Sequence, residues 1–474
     1  MPRALLDATQ IALLRGRLRA RLARARSNDL LSISIDLGAG DDDWLGGDGD
    51  DWPGVDLSRG DGSWWASPLA CGRSDHRLAI GRAIDFRSTG EARFSALQAV
   101  LGGLQAVWQH DDPQRTGVSP LAHLGFAFAD ESADAWPNAQ LLVPAILLRS
   151  GSGRRTATFS CVAAVGEAAL PGWLGELRRG AQRPLRTAAA LLPQTAGPLA
   201  GQAFMARVAA ALRTISDGRL EKLVLARSLR CTADGTIAIA PLLAALRDRH
   251  PYCTTYGVSR AGESFVGATP ERLLVLRRGT VQVDALAGTA WQAAGAAGVA
   301  SPSLHDDKNR HEQQVVVDAV RAALLPFCSA LAPPQSAEVL RSGGLQHLRT
   351  TVHGGLRPGV GFFELLGSLH PTPAVGGWPA PAAGRWLQVH GERRGAWYSG
   401  GIGWVDRDGD GEAVVALRCA RISGRQAELF AGAGIVAGSD PAQELAETEV
   451  KLAVIAEALR HARCRPVARR AASA

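Results

Sequence analysis

Residues 426–452 read QAELFAGAGIVAGSDPAQELAETEVKL, and the passage from strand to helix inside them decides what kind of fold the chain can adopt. Gln426 to Val436 reads as a strand, and the glycines at 432, 434 and 438 invite comparison with a dinucleotide-binding turn. That turn needs its last glycine one residue earlier and a βαβ unit with a downstream acid, and neither is present. What remains is physical: closely spaced glycines expose backbone N–H groups, where an anion such as a carboxylate can sit. A helix over 441–462 is then predicted from its start signals. Asp440 can accept from free first-turn N–H groups, and Pro441 fits a first turn where its missing N–H would be unpaired anyway. Within that helix Glu444, Glu447 and Lys451 fall at i, i+3, i+7 on one face, apart from the apolar stripe of Leu445, Leu452, Ile455 and Leu459. Taken alone, the charged face reads as solvated ion pairs, with Glu447 and Lys451 at i, i+4.

Working outward, a helix is expected at 202–216, strands at 222–230, 254–260 and 272–279, a Gly/Ala-rich loop at 286–304 and a long helix over 306–329. A Pro/Gly-rich stretch at 369–386 and a hairpin within 397–422 follow. The first half looks sheet-rich, with short apolar runs such as LSISIDLG, SWWASPLACG, LAHLGFAFA, LLVPAILLRS and ATFSCVAAV after an Arg-rich first helix. Ala, Pro and Gly dominate 180–201, as in a connector. Strands and helices alternate without strict βαβ periodicity, and no repeat of fixed period appears. The expectation is an α/β (α+β) protein: a strand-rich part over 1–201, a second part over 202–460, and a basic, disordered tail over 461–474.

The 474 residues are 46% hydrophobic and 20% charged, enough apolar material for a sizeable core. Of the net charge of +7, residues 1–30 carry +5 and residues 460–474 another +5, which leaves −3 on the body between them. A nucleic-acid binder needs its basic residues on a working surface among aromatics or a recognition motif, and none is found. Seven cysteines at 71, 161, 231, 253, 328, 419 and 464 form no C-x-x-C pair and read as reduced thiols of a cytoplasmic protein. No apolar run reaches the roughly 18 residues that span a bilayer, so no membrane is expected. The Arg-rich N-terminus also fits an organelle transit peptide, but a plain first helix is the simpler reading.

Several residues look like chemistry. Asp406-Arg-Asp408-Gly-Asp410-Gly411 matches the opening of a calcium loop, yet its twelfth position is Leu417, so a tight hairpin turn is expected instead. The acidic run at 40–52 reads as a solvated loop. Glu312 falls in the first turn of the long helix, and two glutamates from different helices are a common way to hold Mg²⁺ while leaving positions for water and an acidic substrate. Alternation puts Lys222, Val224 and Ala226 on one strand face and Leu223, Leu225 and Arg227 on the other. Burial disfavours an ammonium, so a lysine inside an apolar strand can act as a base; the plain alternative is a strand-end lysine reaching solvent. Glu271, at a turn-to-strand junction in FVGATPERLL, can project into a cleft and hold its proton there as a general acid.

Taken in order, KLVLAR (222–227), GATPERLL (267–274), LAGTA (286–290), DKNRHE (307–312), LQHL (345–348), LHPTPAVGG (369–377), WYSGGIGW (397–404), ALRCA (416–420), AGAGI (431–435) and DPAQELAETEVKL (440–452) resemble the chorismate-utilising enzymes. That family includes isochorismate, salicylate, anthranilate and aminodeoxychorismate synthases. The resemblance is specific over about 202–460. It implies one α/β unit of two large, mostly antiparallel sheets packed face to face with helices outside, acting on chorismate; a monomer is the default expectation for its oligomeric state. It further implies that Glu312 and Glu447 ligate Mg²⁺, with Glu444 nearby through water, and that Gly288 and Thr289 lie beside the ring carboxylate. Tyr398, Arg418, the backbone at Gly432 and Lys451 would contact the enolpyruvyl carboxylate, and His347 would stand close to the ring. Members that add water resemble this chain in carrying a lysine at position 222, which implies that Lys222 deprotonates a water attacking C2 while Glu271 protonates the departing C4 hydroxyl. The product would be isochorismate, for menaquinone or siderophore biosynthesis. Ala374 stands where salicylate-forming relatives tend to carry Thr, which argues against onward pyruvate elimination; a salicylate synthase is the first alternative, and an aminating anthranilate or aminodeoxychorismate synthase comes after it. Asn309 departs from the acid that relatives often have.

Overall fold

The computed structural model describes residues 5–40, 61–68, 75–131, 134–151, 153–180, 191–192, 198–291, 303–304, 306–342 and 344–462. Among these, a 13-stranded and a 10-stranded sheet form the body of an α/β fold, as expected. All strand pairs are antiparallel except Leu30–Ala39 with Trp108–Asp111. Each sheet is assembled from both halves of the chain. In the larger one Thr254–Arg260 pairs with Gly62–Ala66, and in the smaller one Gly401–Asp406 pairs with Leu121–Phe126.

The layers follow from where the apolar faces go. Trp65, Tyr256 and Phe265 from the larger sheet meet Ile402, Trp404 and Val414 from the smaller one in a buried layer between them. The outer face of the larger sheet is covered by Ala8–Leu22, Ile239–Arg249 and Pro441–His461, through Leu14 and Leu18, Leu242 and Leu246, and Leu452 and Ile455. Arg93–Val107, Asp307–Leu324 and Phe362–Leu369 cover the smaller sheet through Leu97, Val316 and Phe363. Each fully buried leucine of these faces contributes about 2 kcal/mol of transfer free energy. The Arg-rich first helix packs Leu14 and Leu18 into this core, and three of its four arginines make ion pairs: Arg17 and Arg21 with Asp111, Arg19 with Glu167.

Several expectations change. The long helix stops at Leu324, and Cys328–Leu331 is a strand, because Pro326 has no N–H to donate and disfavours helix at the residue before it. Counted from an N-cap at Asp306, Glu312 lies in the second turn and not the first. Of the loop expected over 286–304, residues up to Trp291 continue the strand Thr280–Trp291, while 292–302 lie outside the described residues. The Pro/Gly-rich stretch holds the helix Ala380–Val389, with proline tolerated in its first turn. Most of the connector, residues 41–52 of the acidic run and the tail from 463 also lie outside the described residues. In the 406–411 turn, Asp406 Oδ1 accepts from the N–H groups of Asp408 and Asp410 at 2.9 and 3.0 Å, so its carboxylate closes a hairpin.

Candidate active site

Two crossings of the chain between the sheets create the site. Glu263–Thr269 belongs to the larger sheet and Arg272–Arg277 to the smaller, so Glu271 sits on the passage between them. The expected 397–422 hairpin splits in the same way: Gly401–Asp406 and Gly411–Val415 stay in the smaller sheet while Cys419–Ser423 joins the larger. Arg418, at φ +46°, occupies that passage. Both side chains are buried in a cavity between the sheets. Lys222–Ala233 supplies one wall. Its Leu223 and Leu225 pack under Phe204, Val208 and Trp386, so Lys222 and Val224 face inward as alternation requires.

Lys222 is fully buried, and its Nζ lies 2.9 Å from Glu312 Oε1. Glu312 Oε2 accepts from the Gly288 N–H at 3.2 Å. Burial would raise this carboxyl, but the nearby lysines, Lys222 foremost, hold it below its ordinary value. Gly288 can aim its N–H this way because it sits at a break in register between Ala287 and Thr289 with φ +67°, a region that favours glycine. On the closing helix Glu447 Oε1 accepts from Lys451 Nζ at 2.6 Å, and Lys451 also donates to the Gly432 carbonyl at 2.9 Å. Glu444 is buried and accepts from Lys308 at 2.6 Å; burial and the charge of Glu447 push it up to about 7 against the pull of Lys308. The face that could have been solvated is therefore an interior one.

Glu271 is 3% exposed, and burial raises its carboxyl to about 8 despite the charges of Lys222 and Arg418. Arg418 gives one N–H to His347, whose other ring nitrogen faces the Gly288 carbonyl, with Thr289 Oγ1 3.3 Å away. Arg418 Nε and Nη1 are buried without hydrogen-bond partners, and Lys222 Nζ makes no aligned hydrogen bond. Buried unpaired cationic donors are costly unless an anion satisfies them.

The structure brings the expected residues together. Glu271, Gly288, Thr289, Glu312, His347, Ala374, Tyr398, Arg418, Gly432, Glu447 and Lys451 all line this cavity, with Lys222 behind Glu312 and Glu444 behind Glu447. The glycines at 432 and 434 act differently from the anion nest inferred for them. Both lie in the strand Gln426–Val436 without a left-handed backbone, and they provide clearance. A Cβ on Gly434 would stand 2.4 Å from Glu312 Oε1, and one on Gly432 would stand 2.9 Å from the Tyr398 hydroxyl. Asn309 is buried and donates to the Ser303 carbonyl at 2.8 Å, a structural use that an aspartate could not copy. Sequence reasoning missed Lys308, the partner of Glu444, and Arg394, buried at the cavity wall. Lys308 stood in the quoted DKNRHE segment, whereas nothing local marked Arg394.

Among the described residues, no group of three or more His, Cys, Asp or Glu side chains is gathered so as to hold an ion on its own. The acids do suit a hard cation completed by water and substrate: Glu312 and Glu447 line one cavity, and Glu444 Oε2 is buried without a partner.

A cavity closed between two sheets, lined with buried cationic donors and a carboxyl that keeps its proton, defines an α/β enzyme for a small anionic substrate. The sequence profile of the family described as chorismate binding enzyme matches residues 61–460, and the chain belongs to that family. The match reaches back into the half where sequence motifs offered only a strand-rich character. The chain is 34% identical over 403 residues to a salicylate biosynthesis isochorismate synthase of Pseudomonas aeruginosa, covering 81% of this chain and 82% of the relative. It is 31% identical over 364 residues to isochorismate synthase MenF of Bacillus subtilis, covering 74% and 77%. The solved structure of MenF, the menaquinone-specific isochorismate synthase of Escherichia coli, shares the fold with a TM-score of 0.73 at 23% identity, covering 95% of this chain and 99% of that one. No helix among the described residues is long and apolar enough to cross a membrane. The five described cysteines, 161, 231, 253, 328 and 419, are buried and in no disulfide.

Proposed function

We propose that this chain is a Mg²⁺-dependent isochorismate synthase acting as a cytoplasmic monomer. The observation that carries the reading is Glu271, a buried carboxyl raised to about 8 in a cavity whose Glu312 is backed by the buried Lys222, 2.9 Å away. Lys222 takes a proton from a water that attacks C2 of chorismate. The two ring double bonds shift by one position each, and the C4 hydroxyl departs as water with the proton of Glu271. One water enters and one leaves, so the product is an isomer. Arg418, Tyr398 and Lys451 receive the enolpyruvyl carboxylate, with Gly432 leaving the clearance beside the Tyr398 hydroxyl, supported by the two unpaired guanidinium nitrogens. Mg²⁺, held by Glu312 and Glu447 with Glu444 through water, would supply a Lewis acid for the ring carboxylate beside Gly288 and Thr289. The names of the relatives support the same reaction.

The test incubates purified protein with chorismate and Mg²⁺, with and without ammonium, and separates products by chromatography. An equilibrium mixture of chorismate and isochorismate is expected, and Lys222→Ala should abolish it. Salicylate with pyruvate, an aminated product, no turnover, or full turnover by Lys222→Ala would overturn the reading.

A further inference from the structure

We propose that Arg394 is a positioning residue that fixes where the lysine base stands relative to the substrate, an inference that rests on the isochorismate synthase reading. Its side chain is 2% exposed, and all three guanidinium nitrogens are committed to protein acceptors. Nε donates to Glu392 Oε1 at 3.2 Å, Nη1 to the Val375 carbonyl and Ser399 Oγ at 2.7 Å each, and Nη2 to the Val224 carbonyl at 2.8 Å. The guanidinium also lies over the ring of Phe128, 3.7 Å from its centroid.

These acceptors come from separate segments that converge on the cavity. Val224 follows Lys222 by two residues on the inward strand face, Val375 adjoins Ala374, and Ser399 adjoins Tyr398. One guanidinium therefore ties the base to two segments of the substrate wall. The need for it is visible in the sheet. On this edge, among the described residues, Lys222–Ala233 pairs with another strand only at Lys222 and Leu223 and again at Thr232 and Ala233. Between them, the Val224 N–H still donates to the Gly376 carbonyl at 2.9 Å, and side chains take over from there. Besides Arg394 at Val224, Glu392 accepts from the Ala226 N–H at 2.9 Å, and Arg207 donates to the Ala226 carbonyl at 3.2 Å. Unpaired buried backbone groups cost free energy, so this edge holds its place only while the braces do. Although Arg394 lines the cavity, every nitrogen is spent on the protein, so it acts through Lys222, Ala374 and Tyr398. A lysine ammonium cannot reproduce the planar fork that serves four acceptors.

The experiment compares wild type, Arg394→Lys and Ser399→Ala, the second removing one acceptor and leaving the other three. Measured are kcat, KM, the pH–rate profile, thermal melting, and the Kd of chorismate by calorimetry. Misplacement of a base by about 1 Å costs about 100-fold in rate, so Arg394→Lys should lower kcat by about 100-fold and Ser399→Ala by about fivefold. Both limbs of the profile should stay where they are, and Kd should move by less than about threefold. The inference is overturned by an Arg394→Lys enzyme within about twofold of wild-type kcat. It is equally overturned if kcat, chorismate affinity and melting temperature decline in parallel, as for a brace serving stability alone. Should Arg394→Lys not fold, Ser399→Ala with undiminished kcat is decisive against it. A wild type that consumes chorismate without making isochorismate sinks the functional reading instead, and the variants still test Arg394 on chorismate consumption.

Discussion

Arg418 donates from Nη2 to Nε2 of His347 across 2.5 Å, while His347 Nδ1 lies 3.0 Å from the Gly288 carbonyl oxygen. A guanidinium has only donors, so Nε2 must accept, and the single proton of the ring must sit on Nδ1 facing the carbonyl. Burial, reinforced by the charges of Arg418 and Lys451, holds this imidazole well below its ordinary range. His347 is thus a neutral prop for Arg418.

His347→Ala should raise KM for chorismate by about tenfold, about 1.4 kcal/mol, with a smaller effect on kcat. Steady-state kinetics across pH would check this. A pH–rate limb that vanished in the variant would instead make His347 an acid or base.

Glu271 must be protonated to act, and its carboxyl is raised to about 8, so kcat should fall as pH rises through about 8. Glu271→Gln should remove turnover by about 1,000-fold at every pH. Because a raised carboxyl costs stability as pH rises from its unfolded value toward 8, the same variant should melt higher than wild type at pH 9. An equal or lower melting temperature there would contradict the buried protonated acid.

Gly434→Ala places a methyl group where Glu312 Oε1 stands, with Lys222 Cε 3.3 Å away. Displacing this pair should lower kcat by about 100-fold or more and weaken Mg²⁺ binding measured by calorimetry, while the strand ladder to Lys222–Ala233 keeps its circular dichroism. Unchanged activity would mean that the Lys222–Glu312 contact is dispensable.

His123 and His370 are buried and depressed to about 3, chiefly by burial and further by Arg77 and Arg93 respectively. The unfolded chain binds their protons first, so their contribution is intact above about pH 6.5 and is lost as pH falls from there toward 3. Each should remove about 1.4 kcal/mol per pH unit in that window. Urea midpoints between pH 7 and 4 should fall steeply, and the double variant His123→Asn, His370→Asn should flatten the slope; equal slopes would refute it.

Local features were readable before the structure. Alternation put Lys222 and Leu223 on opposite strand faces, the cap at Asp440 and the 441 start placed the last helix, and the i, i+4 spacing paired Glu447 with Lys451. The break at Pro326 was also local, though the apolar pattern running on to 329 obscured it. Each of these rests on a backbone period of 2 or 3.6, which any short window of sequence displays.

Tertiary structure alone decided the rest. Lys222 meets Glu312, Lys308 meets Glu444, Arg418 meets His347, and Arg394 joins Val224, Val375 and Ser399. A period tells which way a side chain points but not what stands opposite. Partner, burial and proton affinity depend on which distant segments close over a group, and here two sheets built from both halves of the chain do the closing.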